Sequence, residues 1–89
     1  MLILTLRQAE TALADRRIDH AYDLLHANVQ LMGLPRGQRL IDKLVNAFVA
    51  RGREHLKAGR TDEALNDCDR ARKLGGNLPA VAKLREQVT

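Results

Sequence analysis

Aromatic residues are almost missing from this chain: one tyrosine, one phenylalanine and no tryptophan in 89 residues. A core must then be assembled from Leu, Val, Ile and Ala, which suits closely packed helices better than a sheet. The single cysteine, Cys68, excludes an internal disulfide and a cysteine-rich zinc site. No run approaches the ~20 apolar residues of a membrane span. The short stretch Leu2-Ile3-Leu4 is closed by Arg7 before a secretory segment could form. A cytoplasmic protein without membrane contact is expected. Paired catalytic carboxylates, a metal-ligand cluster and a phosphate-cradling glycine loop are missing too. The reading is therefore not an enzyme, with no cofactor, no metal and no small-molecule substrate.

What is present describes one small folded domain spanning 1–89. Apolar residues make up 45% and charged residues 29% of the chain, a balance that excludes disorder. Apolar spacing predicts five helices and no strand. The first runs from Leu2 to Ala14, with Leu2, Leu6, Ala9 and Leu13 on one face. Asp15-Arg16-Arg17 is a turn. The second carries Ile18, Ala21, Tyr22, Leu25, Val29 and Met32 inward and ends at Gly33, read as a left-handed cap. Pro35 opens a third helix that continues to Ala58, roughly 34 Å long. Gly59 breaks it and Thr61 is the N-cap of the fourth. That helix has acids first (Asp62, Glu63), bases last, and Ala64, Leu65, Cys68, Ala71 and Leu74 inward. Leu78-Pro79 starts a fifth, burying Val81, Leu84 and Val88.

The chain also repeats itself. At an offset of 43, Leu13 falls on Leu56, Arg17 on Arg60, Asp19 on Asp62, Ala21 on Ala64 and Leu31 on Leu74. At 44, Leu34-Pro35 falls on Leu78-Pro79 and Leu40 on Leu84. Turns, caps and small crossing residues recur together, which is the mark of a repeated helical hairpin. Helix one then matches the back half of helix three, and helix five its front half. The half-helices should leave Leu2, Ile3 and Leu4 at one end, and Leu84 and Val88 at the other, open to a neighbour. The stop at Thr89 suggests a module cut from something longer.

Phe48, Gly52, His55, Gly59, Ala64 and Ala71 stand in the order and spacing of a tetratricopeptide repeat, and the chain resembles that family. The best-matching unit is 45–78, with a partial one at 2–34. Arg51, His55 and Cys68 stand where the family prefers leucine, tyrosine and a large aromatic. The period exceeds the family's, which is about 34 residues. The resemblance implies an all-α fold of antiparallel helical hairpins, a superhelix fragment with one long central helix. It also implies a protein-interaction scaffold without cofactor, in which Gly52, Ala64 and Ala71 let the helices approach closely.

Two partner surfaces follow. The first reading is a protein-protein interaction module that binds a protein segment or its own copies, with Leu2, Leu4, Leu84 and Val88 as contacts. The alternative uses a basic face on helix three, Arg36, Arg39, Lys43, Arg53, Lys57 and Arg60, to hold nucleic acid or an acidic protein segment. The plainer account of that face is a solvated outer surface, and the shortage of aromatic residues argues against nucleic acid. Cys68 reads as a small core hydrophobe rather than a nucleophile. His20 and His26, six residues apart, do not share a helix face and cannot chelate a metal as a pair.

Overall fold

The structure, a computed structural model, describes residues 2–75 and 79–88, with the backbone alone for Leu2, Gly75, Pro79, Ala80 and Val88. It is all-α, with five helices: α1 (Leu2–Ala14), α2 (Ile18–Ala27), α3 (Pro35–Lys57), α4 (Thr61–Gly75) and α5 (Pro79–Val88). A short 3-10 turn, Val29–Gly33, leads from α2 to α3. The chain divides into two compact units, 1–44 and 45–89. The boundary falls inside α3, one sequence period from the start.

The first unit contains α1, α2, the 3-10 turn and the front of α3. Its buried side chains are Leu6, Ala9, Ala12, Ile18, Ala21, Tyr22, Leu25, Leu31, Leu40, Ile41 and Leu44. The hairpin turns within three residues because Arg16 takes a left-handed conformation, φ 63°. Arg16 N–H then donates to the Leu13 carbonyl at 3.0 Å, and Arg17 N–H to that of Ala12 at 2.8 Å. This pair of bonds closes the orphaned carbonyls of the helix end.

The second unit contains the back of α3, α4 and α5, and it turns in the same way. Gly59 has φ 80°. Its N–H donates to the Leu56 carbonyl at 3.1 Å, and Arg60 N–H to that of His55 at 2.8 Å. Every donor and acceptor lies 43 residues after its counterpart, so the offset read from the side chains is also an offset of backbone hydrogen bonds. Burial follows the same register: Ala21 and Ala64 are both 0% exposed, and Leu25 and Cys68 are 0% and 2%. A Cβ on Gly52 would lie 2.8 Å from Leu84 Cδ2 and 3.6 Å from the Ala64 carbonyl oxygen. This glycine therefore lets α3 approach both α4 and α5.

Five sequence expectations change. The second helix stops at Ala27, not Gly33, because the Asn28 side chain donates to the Leu24 carbonyl at 2.9 Å and competes with the backbone ladder. The phase shift of the 3-10 turn buries Leu31 and leaves Val29 61% exposed. Gly33 is not left-handed; the glycine that matters here is Gly37, where a Cβ would run into the Leu31 carbonyl oxygen. In α4, Asp67 and not Leu65 joins the inward stripe, and Thr61 is the first helical residue, with the Arg60 carbonyl accepting from Ala64 N–H.

Left-handed backbone costs a non-glycine residue about 1 kcal/mol. Arg16→Gly is thus expected to raise stability by roughly 0.5–1 kcal/mol, and Gly59→Ala to lower it by about 1 kcal/mol. Thermal unfolding followed by circular dichroism reads both as opposite shifts of the midpoint. Equal midpoints for all three proteins would show that the turns store no such difference.

Candidate functional site

Surface apolar side chains are few, so those at the start of α1 stand out. Ile3 is 63% exposed and Leu4 58%. Their counterparts in the second unit, 43 residues on, are Asn46 and Ala47. The apolar pair is therefore a feature of the first unit and not a requirement of the hairpin. Leu84, expected to be open to a partner, is instead 0% exposed. The missing side chain of Gly52 makes room for it inside its own unit. The side chains of Leu2 and Val88 lie outside the described residues.

All six cations of the basic face are exposed. Five lie on α3, opposite the buried Ile41, Leu44, Phe48 and Gly52, as the helical period requires; Arg60, expected on the same helix, lies beyond its end at Lys57 because Gly59 turns the chain. Three of the six have partners. Arg36 meets Glu10 at 2.6 Å, Lys57 meets Glu54 at 3.8 Å, and Arg60 Nε meets Glu63 at 3.0 Å. Arg39, Lys43 and Arg53 have none among the described residues. In the first unit Arg36, Arg39 and Lys43 line an open cleft of about 380 Å³ with Glu10, Leu13, Ala14 and Leu40. A second open cleft of about 470 Å³, between α1 and α2, is lined by Arg7, Gln8, Thr11, Arg17, His20 and Leu24. Sequence reading missed it, because its residues come from two helices whose relative rotation no spacing rule specifies.

Comparison with protein families, curated proteins and solved structures finds no match to this chain.

The second unit carries a polar network. Asp67, 2% exposed, accepts from Arg51 Nη2 at 2.6 Å and Nε at 3.0 Å. The Arg51 guanidinium also lies over the Phe48 ring, 5.5 Å from its centroid. His55 sits beside this pair, with Nδ1 3.0 Å from Glu63 and Nε2 3.6 Å from Asp67. Arg60 Nε is 3.0 Å from the same Nδ1. The residue facing Arg51 across the hairpin is thus a carboxylate, which accounts for a cation at this half-buried position. Two-point Arg–carboxylate pairing satisfies a buried charge that could not stand alone. His55 is occupied by these carboxylates and Arg60, while the Cys68 sulfur approaches the Val81 carbonyl at 3.8 Å. No group of three or more metal-binding side chains occurs among the described residues, and none of their helices is long and apolar enough to cross a membrane.

Arg51→Gln is expected to cost about 2–3 kcal/mol, since it strands the Asp67 charge. Arg51→Gln with Asp67→Leu installs the pair that the first unit holds at these positions, Gln8 and Leu24. The double variant should recover most of the loss in chemical denaturation. Additive losses would deny the coupling.

Burial pushes the Cys68 thiol up, Asp69 adds to the rise, and Arg85 and Arg72 oppose it. A raised folded-state value means that stability is full below the ordinary thiol range and falls as pH climbs through it. Iodoacetamide should accordingly label native Cys68 at least about tenfold more slowly than the unfolded chain at pH 8. Equal rates would place the sulfur at the surface.

Proposed function

We propose that the chain is a non-catalytic, tetratricopeptide-like interaction module whose contact surface includes the opening turn of α1. The observation that carries this is the exposed apolar pair Ile3 and Leu4, set where the second copy of the same hairpin has Asn46 and Ala47. Burying two such side chains against a partner is worth roughly 1.5–3 kcal/mol each, a useful contribution to a contact between small helical surfaces. The partner is a protein surface, and a second copy of the chain is the one the sequence itself supplies. Within α3, the ten residues that end the first unit run directly into the helix that opens the second. A copy of α5 placed against α1 would reproduce that succession.

The basic face of α3 supports an anionic partner less well, because Glu10 already holds Arg36 at 2.6 Å, and Arg60 lies in the turn beyond Lys57, beside Glu63.

Light scattering across a wide concentration range tests the reading. The wild type is expected to rise above its monomer mass of 10.0 kDa with concentration. Leu4→Asp, at an exposed position, should remain helical and monomeric. Leu84→Asp should instead lose helicity, since it puts a charge into the core. Equal association by wild type and Leu4→Asp overturns this contact surface.

A further inference from the structure

The two units hold the same hairpin, so each serves as a control for the other's surface. The cleft between α1 and α2 is lined by Arg7, Gln8, Thr11, Arg17, His20 and Leu24. At the offset of 43, the second unit has Ala50, Arg51, Glu54, Arg60, Glu63 and Asp67 at these positions. Both sets contain two arginines. Only the second contains carboxylates, and they are in use: Asp67 holds Arg51, Glu63 holds Arg60, and Glu54 meets Lys57. In the first unit Thr11 replaces Glu54, His20 replaces Glu63 and Leu24 replaces Asp67. The lining still has two arginines, Arg17 at the place of Arg60 and Arg7 one position before that of Arg51, and holds no acid of its own; Asp15, beside the cleft, reaches Arg17 at 3.5 Å.

We infer that this cleft receives an acidic segment of a protein partner, whose Asp or Glu side chains bind Arg7 and Arg17 as the second unit's own carboxylates bind Arg51 and Arg60. The inference rests on the interaction-module reading and names the chemistry of one partner. Arg7 has no ion-pair partner among the described residues. Arg17 has only Asp15, at 3.5 Å with side chains 62% and 58% exposed, a pairing too weak to keep out a better-placed carboxylate. Gln8, Thr11 and His20 add donors, and Gln8 and Thr11 can both donate to and accept from a peptide backbone. Leu24 supplies an apolar floor. Nucleic acid fits less well, because the lining offers no aromatic ring except the His20 imidazole on which to stack a base.

The test is fluorescence anisotropy of a labelled, end-blocked hexaglutamate peptide titrated with the full chain at low salt. Saturable binding is expected, weakening as salt is raised. Arg7→Gln with Arg17→Gln should weaken it about tenfold or more, since both lost contacts are charge-assisted. Both arginines are exposed, and circular dichroism confirms that the variant is folded. Arg39→Gln with Lys43→Gln, in the other cleft, should leave binding unchanged. Loss of binding only in that second variant, no binding at all, or tighter binding of a six-thymidine single strand at Arg7 and Arg17 would overturn the assignment. Peptide binding is measured at a protein concentration where light scattering gives the monomer mass, so that the cleft is read without the α1 contact. Failure of the α1 contact and failure of this cleft therefore give different results.

Discussion

A helix can fold back on itself within three residues only if one of them goes left-handed and the next amides reach back to the open carbonyls. Both units depend on that reversal. It sets the distance at which the second helix returns, and hence which side chains must be small. Ala9, Ala21 and Ala64 are fully buried, and Gly52 cannot gain a Cβ without meeting Leu84. With almost no aromatic residues to fill wide gaps, close approach is the available route to a dense interior. The second unit meets the turn with glycine. The first meets it with Arg16 and bears the strain.

Within this shared frame the two units treat charge differently. The second places a carboxylate in the hairpin seam and satisfies it with Arg51, which lies across Phe48. The first has Gln8 and Leu24 at those positions and Thr5 in place of Phe48. An ion pair held in a seam constrains partners more than it stabilises, so it favours one arrangement of α3 on α4. The same substitutions leave the first unit's groove lined by cations and neutral side chains, with no acid among them. Duplicated architecture with divergent electrostatics is what makes the two surfaces comparable.

The basic face shows how a helical wheel can be right in geometry and misleading in chemistry. The five cations on α3 project outward, as the helical period requires. Yet Glu10 reaches Arg36 from α1, while Glu54 and Glu63 lie within three residues of Lys57 and Arg60. A wheel drawn for one helix cannot show a carboxylate arriving from another. What looked like a continuous positive stripe is therefore interrupted.

Local rules sufficed for the helices themselves. Apolar period, two prolines and Gly59 located α1 and α3–α5 to within about one residue, and the offset of 43 anticipated two identical backbone turns. These features depend on contacts within one turn of helix, which neighbouring residues specify. The early end of α2 is local as well: the Asn28 amide donates to the Leu24 carbonyl four residues back, a side-chain bond that apolar spacing does not register. Two other features depended on groups far apart in sequence. Asp67 entered the core because Arg51 waited there. Leu84 left the surface because Gly52 made room. Burial and pairing of this kind are decided by how helices meet, and only the tertiary structure supplies that.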